Sequence, residues 1–131
     1  MPVKSDVKIT SLGYVIVYVK DIDRGVAFYR DTLGLKVKLD DSGWVEFDTG
    51  AATLALHVDP KLTGNRSPGQ PIPVFCVENI NQAYESLKKS GVKFDHAPRQ
   101  VCEAGPNKIG MSADLIDPDG NFISIYGVVD K

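Results

Sequence analysis

The feature that most constrains the fold is an internal repeat at a spacing of 58 residues. The segments Val19-Lys-Asp-Ile-Asp-Arg-Gly-Val-Ala-Phe-Tyr and Val77-Glu-Asn-Ile-Asn-Gln-Ala-Tyr-Glu-Ser-Leu share one design: a valine, a polar stretch, an isoleucine and then a helical pattern. Past one skipped residue, Gly34-Leu-Lys-Val matches Gly91-Val-Lys-Phe. Each half of the chain therefore predicts the same order of strand, helix, glycine and strand.

Both repeated segments carry the local signals of a helix. An apolar stripe with the 3.6-residue period runs through each of them. Its members are Ile22, Val26, Tyr29 and Leu33 in the first segment, and Ile80, Ala83, Tyr84 and Leu87 in the second. The candidates for capping the first helix amides are Asp21 or Asp23, and Asn79 or Asn81. Gly34 and Gly91 stand where each helix is expected to end, since glycine tolerates the positive φ that a helix end requires.

Short runs rich in β-branched and aromatic residues surround both helices and predict strands. They are residues 14–19, 35–39, 44–48 and 52–58 in the first half, and 72–77, 92–97, 111–116 and 121–127 in the second. The tetrapeptide Asp117-Pro-Asp-Gly joins the last two runs and predicts a turn, because proline presets φ and glycine accepts the left-handed position. Residues 98–110 are expected to be irregular and to cover one end of the sheet.

The length of 131 residues suits one domain spanning 1–131. Its first module is expected over about residues 10–58 and its second over about 72–128. Between them, residues 59–71 form a polar linker that holds three prolines. This βαβββ–βαβββ order predicts an α+β fold, an eight-stranded curved sheet with the helices outside.

Composition excludes several partner classes. A net charge of −2 and a pI near 5.6 give no basic face for nucleic acid. The longest apolar stretches, such as residues 13–19, fall far short of a membrane span. The amino terminus has no apolar segment of a secretory signal, so a cytoplasmic protein is expected. The two cysteines lie 26 residues apart and predict neither a zinc site nor a disulfide framework.

Two motifs make the chain resemble the vicinal-oxygen-chelate superfamily, which includes glyoxalase I, extradiol dioxygenases, and the bleomycin- and fosfomycin-resistance proteins. The specific one is Tyr14-Val-Ile-Val-Tyr-Val-Lys-Asp-Ile-Asp-Arg-Gly-Val-Ala-Phe-Tyr-Arg-Asp-Thr-Leu-Gly-Leu-Lys-Val. The other, Asp117-Pro-Asp-Gly-Asn-Phe-Ile-Ser-Ile-Tyr, is strong only in combination with the first. The resemblance implies paired βαβββ modules that curl around a cup, and it implies a small-molecule ligand and a homodimer.

The resemblance also implies a divalent metal held by one ligand on the first and last strands of each module. The positions that match these ligands are Tyr14, Ala55, Ile72 and Ser124. Isoleucine and alanine have no donor atom, and tyrosine and serine are poor ligands at neutral pH. We therefore expect no metal ligands and no cofactor, with a divalent metal present only if its site is displaced.

Strand alternation predicts which side chains share a face with those positions. The residues expected to line the cup and to bind a ligand are Tyr14, Ile16, Tyr18, Ala55, His57, Ile72, Val74, Cys76, Phe122, Ser124 and Tyr126. Aromatic and aliphatic groups with a few hydroxyls are typical of an apolar small-molecule pocket. The same composition is typical of a packed core, and the sequence leaves both interpretations open.

His57 and Glu46 are the candidate catalytic residues. His57 shares a face with Ala55 and could transfer protons near neutral pH, or it could be a partly exposed histidine at a strand end. Glu46 could act as a base or be an exposed carboxylate. Cys76 is expected to be a buried, inert thiol rather than a nucleophile. The remaining polar candidates, expected to be solvated, in loops or in turns at the surface, are His96, Cys102, Asp114 and Asp117.

Three functions fit these observations. The leading hypothesis is a metal-free protein that binds or sequesters a small molecule in the cup, as resistance proteins do. The alternative is a divergent lyase, isomerase or dioxygenase with a displaced metal or an acid/base site near His57. A third hypothesis is a structural or regulatory domain whose cup is packed.

Overall fold

The computed structural model describes residues 12–62 and 71–131. The start of the first module at residue 10 and most of the expected linker, residues 63–70, lie outside the described residues. The strands of the first module are β1 Tyr14–Val19, β2 Lys36–Asp41, β3 Trp44–Asp48 and β4 Thr53–Val58. Those of the second are β5 Val74–Cys76, β6 Lys93–Phe94, β7 Arg99–Gly105, β8 Lys108–Ile116 and β9 Phe122–Asp130. The helices are α1 Ile22–Val26, which continues as a π-helical segment Ala27–Thr32, and α2 Ile80–Lys89.

The two modules have the same topology, which confirms the α+β class and the paired βαβββ order. The first sheet has the order β1-β4-β3-β2, and the second has β5-β9-β8-β6. In both, the first and last strands pair in parallel and the others are antiparallel. Ile16 pairs with Ala55, and Val74, its counterpart at the offset of 58, pairs with Ser124. The repeat in sequence is thus a repeat in strand register.

The strand count differs from the predicted eight. The described residues form two separate sheets with nine strands between them, because β7 occupies part of the stretch that was predicted to be irregular. β6 pairs with residues 115 and 116 of β8, and β7 pairs with residues 108–112 of the same strand. The two short strands therefore lie end to end along one edge of β8 and together fill the position that β2 fills in the first module.

A side chain caps the first turn of each helix, and a glycine follows its last turn. The Asp21 carboxylate accepts a hydrogen bond from the Arg24 amide at 3.1 Å, and the Asn79 side chain accepts one from the Gln82 amide at 3.1 Å. Of the candidate caps, Asp21 and Asn79 are therefore the ones used. Gly34 and Gly91 have φ of 80° and 91°, as the sequence predicts for residues that reverse the chain after a helix.

The core lies between each sheet and its own helix. The stripe residues Tyr29 and Ile80 are fully buried, and the other six members pack against the same cluster. Along β1, Val17 and Val19 point into this core, whereas Tyr14, Ile16 and Tyr18 point away from it. Each sheet thus has a helix-covered face and an open face, and the open faces carry the residues that were predicted to line a cup.

The loop Asp117–Asn121, which we call the clasp loop, ties the second module to the first. The Tyr29 hydroxyl donates to Asp117 Oδ2 at 2.9 Å, and Asn121 Nδ2 donates to the Tyr18 carbonyl at 2.9 Å. Arg24 lies 2.6 Å from Asp119, whose side chain is nearly fully buried. Asp117 was expected at the surface, and this was wrong: it is only 3% exposed, because four donors from the loop and the first module surround its carboxylate.

Candidate functional site

The open face of the first sheet is built from three cross-strand rows. One row is Tyr14, Thr53 and Asp48, the next is Ile16, Ala55 and Glu46, and the third is Tyr18, His57 and Trp44. Three large side chains here are exposed, with Tyr14 at 53%, Ile16 at 44% and Tyr18 at 43%. Exposed aromatic and aliphatic groups side by side on one sheet face are typical of a binding surface.

Four rings on this face form an aromatic cluster, namely Tyr14, Tyr18, Trp44 and His57. The ring of His57 lies 5.6 Å from that of Tyr18 and 5.5 Å from that of Trp44, between the two. Tyr14 joins from the opposite end of β1, with its ring centroid 6.1 Å from that of Trp44. These separations are those of favourable aromatic pairs, each stabilising by about 0.5–1.5 kcal/mol.

Ala55 lies beneath this cluster. It occupies the central strand and the central row, and its exposure is 0% although it belongs to the open face. Tyr14 and Trp44 lie on the strands to either side and in the rows before and after it, so their rings meet above its methyl group. The position that matches a metal ligand is therefore covered by aromatic carbon.

Glu46 lies beside Ala55 in the same row. Its Oε2 accepts a hydrogen bond from the indole Nε1–H of Trp44 at 2.9 Å, which fixes the carboxylate against the aromatic cluster. No lysine or arginine among the described residues forms an ion pair with it. Glu46 and His57 are diagonal neighbours on β3 and β4, and the contacts of the His57 ring are with Tyr18 and Trp44.

The donor set does not fit a divalent metal. Tyr14 is exposed, and Ala55 is buried beneath the aromatic cluster. Ile72 precedes β5 and is half-buried. Ser124 is buried, with its hydroxyl 3.3 Å from the Ala113 carbonyl. Across residues 12–62 and 71–131, no group of three or more His, Cys, Asp or Glu side chains is placed to hold a metal ion. A hard cation needs several oxygen or imidazole donors around one point, and these positions do not supply them.

The open face of the second sheet carries a thiol and phenol pair. Tyr126 Oη lies 3.6 Å from Cys102 Sγ, and this contact, with partial burial, raises the pKa of Tyr126 above its ordinary value of 10.0. The tyrosine reaches Cys102 by crossing above Gly110, where an added Cβ would lie 2.6 Å from the sulfur. Cys76, predicted to be buried, is exposed, because the face that it shares with Tyr126 has no covering layer in the described residues.

His96 is also placed differently from the prediction. It was expected to be solvated, but its side chain is only 16% exposed. Its Nδ1 lies 2.9 Å from the Ala97 carbonyl, and its Nε2 lies 3.3 Å from Asp114 Oδ2. The cause is β6, which ends at Phe94 and brings the next residues of the chain against β8.

Two apolar grooves lie where the modules meet. The larger, of about 760 Å³, is lined by Ile72, Val74 and Cys76 together with apolar residues of β1 and β4. The smaller, of about 620 Å³, is lined by Ile16, Tyr18, Ile72 and Phe122. The structure thus brings seven of the predicted ligand-binding residues into two places, the first-sheet face and the smaller groove, which share Ile16 and Tyr18. Volumes of this size are typical of small-molecule sites.

Burial shifts the pKa values of the clasp loop and its partner. Burial, and then the charge of Asp117, raise the pKa of Tyr29 well above its ordinary value. Burial also raises the pKa of Asp117, and the hydrogen bonds that it accepts from Asn121, Tyr29 and Asp119 oppose this effect. The carboxylate is thereby a structural group inside the junction, with all its acceptor sites used by the protein itself.

Trp44 is a residue of the candidate site for which the sequence did not decide the face of the sheet. Alternation along β3 places Trp44 and Glu46 together but does not say which face they occupy. The register of β3 with β4 decides this, since Trp44 pairs with His57 and Glu46 with Ala55. One signal in the sequence could have decided the face: Ala55 was predicted to face the cup, and a residue that pairs with it on an antiparallel strand must lie on the same face.

Comparison with known proteins agrees with the fold and the motifs. The family model described as the Glyoxalase/Bleomycin resistance protein/Dioxygenase superfamily matches residues 11–125. The chain belongs to this superfamily. The match confirms the resemblance that the two motifs carry.

Individual relatives share most of their length with this superfamily member. It is 29% identical to the uncharacterized protein YetH of Bacillus subtilis (strain 168) over 120 residues, which cover 86% of this chain and 94% of the relative. It is 27% identical to the uncharacterized protein YraH of the same strain, over 82% and 91% of the two chains. A solved glyoxalase/bleomycin resistance protein/dioxygenase from Alicyclobacillus acidocaldarius matches 92% of both chains with a TM-score of 0.73 and 20% identity, a likeness of fold. None of the helices in the described residues is long and apolar enough to cross a bilayer.

Proposed function

We propose that this chain is a small-molecule-binding protein of the resistance or sequestering kind, which uses an aromatic surface where other members of its superfamily place a divalent metal. The observation that carries the proposal is the aromatic cluster closed above Ala55. A superfamily scaffold hosts many chemistries, so the proposal rests on the site and not on the fold.

The binding surface is continuous. Ile16 and Tyr18 belong both to the open face of the first sheet and to the groove of about 620 Å³. A ligand can therefore lie in the groove and extend across the aromatic cluster without crossing a polar barrier. Burial of apolar surface contributes about 25 cal/mol per Å², so a ligand that covers these side chains gains affinity chiefly from that term.

A second copy of the chain is proposed to complete the site. The second sheet exposes Val74 at 56%, and Val101 and Val128 are also exposed. Large exposed apolar side chains on a sheet face favour an interface. A homodimer of this 14.3 kDa chain predicts a molecular mass of twice that value, about 28 kDa, in sedimentation equilibrium, and a monomer mass at micromolar concentration would contradict this part of the proposal.

The test of binding is a titration with a neutral apolar dye, Nile red, monitored by dye emission in the presence of EDTA. Saturable binding with a defined stoichiometry is expected, and Ala55→Trp should abolish it by displacing the rings above. The matched control is Ala97→Trp, the same substitution at an exposed position outside the strands, which should leave binding unchanged. Dye binding that does not saturate, or that survives Ala55→Trp unchanged, would contradict the proposal.

A further inference from the structure

We infer that the aromatic cluster with Glu46 is a recognition site for an organic cation, specifically a quaternary ammonium group. The inference deepens the proposed function and rests on it. It specifies that the ligand is positively charged, whereas the proposed function leaves the charge of the ligand open.

The first support is the arrangement of the rings. Tyr18, His57 and Trp44 stand next to one another in one row across three strands, and Tyr14 closes on Trp44 from the other end of the face. An aromatic ring presents negative charge density on its face, and cations within about 6 Å of such a face are attracted to it. Several rings around one point are the arrangement that recognises quaternary ammonium groups.

The second support is the carboxylate inside the cluster. Trp44 donates its indole N–H to Glu46 Oε2 at 2.9 Å, so Glu46 is held beside the rings and the indole has no further donor to offer an anion. Glu46 is half-buried, and no ion pair with a lysine or arginine of the described residues neutralises it. An anionic or neutral ligand would leave this charge uncompensated, whereas a cation would compensate it.

The third support is the distribution of charge over the face. Two lysines reach this face, both at the row of Tyr14 and Thr53: Lys36 pairs with Asp48 in that row, and Lys38 donates to Thr53 Oγ1 at 2.6 Å. The row of Trp44 and His57 ends instead at Asp41, another carboxylate. The end of the face that holds Trp44 and His57 therefore carries acidic groups, and the two lysines lie at the other end.

The cluster favours a quaternary group over a primary amine. A primary ammonium needs three hydrogen-bond acceptors, and the aromatic rings supply none of comparable strength. A trimethylammonium group has no N–H to satisfy and spreads its charge over methyl groups that pack against rings. One carboxylate and several ring faces match that chemistry.

The experiment uses Trp44, the only tryptophan of the chain, as a reporter inside the site. Choline and its neutral isostere 3,3-dimethylbutan-1-ol are titrated separately into the full-length protein, and the emission of Trp44 is followed. We expect saturable quenching by choline, with a dissociation constant about tenfold lower than that of the alcohol. Glu46→Gln, which keeps an acceptor for the indole N–H, should reduce this preference to about twofold and leave the affinity for the alcohol unchanged.

The matched control is Asp40→Asn, which removes the same charge from the same sheet. Asp40 pairs with the buried Val45 and so belongs to the other face, and its loss should leave the preference for choline unchanged. An equal effect of the two variants would show a general charge effect and would overturn the inference.

The outcomes separate this inference from the proposed function. Saturable Nile red binding without any preference for choline overturns the cation site and leaves small-molecule binding intact. Absence of binding for all three probes overturns both. Absence of binding together with Trp44 emission that depends on protein concentration would identify a second copy of the chain as the occupant of this face, and it would also overturn the inference.

Discussion

Replacing Tyr29 with phenylalanine removes one hydroxyl from the junction between the modules. That hydroxyl donates to Asp117 Oδ2 at 2.9 Å, across 88 residues of sequence. Both side chains are buried, with exposures of 0% and 3%. Water therefore cannot replace the lost donor without rearrangement, and the variant should be less stable.

The size of the effect follows from what remains around the carboxylate. A hydrogen bond to a charged group contributes about 1.5–3 kcal/mol. Asp117 keeps the amides of Asp119 and Asn121 and the side chain of Asn121 as donors, so it is weakened but not left alone. We therefore expect a loss near the lower limit, about 1.5–2 kcal/mol, with no change in the aromatic packing of the ring against Phe28 and Phe47.

The assay is urea denaturation at one fixed protein concentration, because association would otherwise alter the apparent stability. With a slope of about 1.5–2 kcal/mol per M, the midpoint should fall by about 1 M. Tyr84→Phe is the matched control: its ring is half-buried against Phe94, and its hydroxyl has no hydrogen-bond partner among the described residues. A loss below about 0.5 kcal/mol for Tyr29→Phe, or an equal loss for Tyr84→Phe, would refute the reasoning.

Three further predictions concern separate parts of the molecule. Burial raises the pKa of Asp117, so this side chain holds a proton more tightly in the folded protein than in the unfolded chain. The protonated side chain therefore stabilises the fold fully below pH 3.8, its ordinary pKa. This stabilisation is lost as the pH rises through the pKa of the folded state. The free energy of unfolding, measured relative to Asp117→Asn, should therefore fall from about pH 4 upwards, and a pH-independent difference would contradict this. Gly110→Ala should cost about 1–3 kcal/mol in urea denaturation, because its Cβ would lie 2.6 Å from Cys102 Sγ and would push Tyr126 aside; unchanged stability would show that both side chains move freely. His57→Ala should weaken Nile red binding about fivefold, whereas His57→Phe should retain it, because the ring contacts the cluster. Equal loss in both variants would contradict a packing role and show that the imidazole nitrogens are needed.

Local patterns in the sequence were sufficient to predict every element of the described fold except β7. β1 and β3 have the predicted bounds of 14–19 and 44–48, since each is rich in β-branched and aromatic residues and begins directly after a glycine. The caps and the glycines after the helices follow from short-range chemistry, and the repeat at 58 residues places the same signals in both halves of the chain. Each of these local signals involves residues only a few positions apart, so it can be recognised in a single sequence.

β7 could not be predicted in the same way. Pro98 and Pro106 flank it and favour an irregular stretch, but its pairing with β8 outweighs that local preference. One signal was present in the sequence: proline followed by asparagine is typical of a turn between strands, and Pro106 and Asn107 form the turn between β7 and β8, with a φ of 58° at Asn107.

Exposure at the site depended on contacts that no local pattern encodes. Alternation correctly placed Cys76 on the face of Tyr126, but whether a face is covered depends on the layers around it. Asp117 is buried because Tyr29, far away in sequence, contributes a donor to it. The aromatic cluster likewise depends on the register of three strands, β1, β3 and β4, which local sequence patterns do not predict.

The most direct test is whether ligand binding needs a divalent metal. Nile red is titrated into three samples of the full-length protein: as purified, after dialysis against EDTA, and after addition of one equivalent of nickel or zinc. Binding at the aromatic cluster predicts the same dissociation constant in all three, because the rings above Ala55 and the carboxylate of Glu46 require no metal. Binding that is lost on chelation and restored by one equivalent of metal would contradict it.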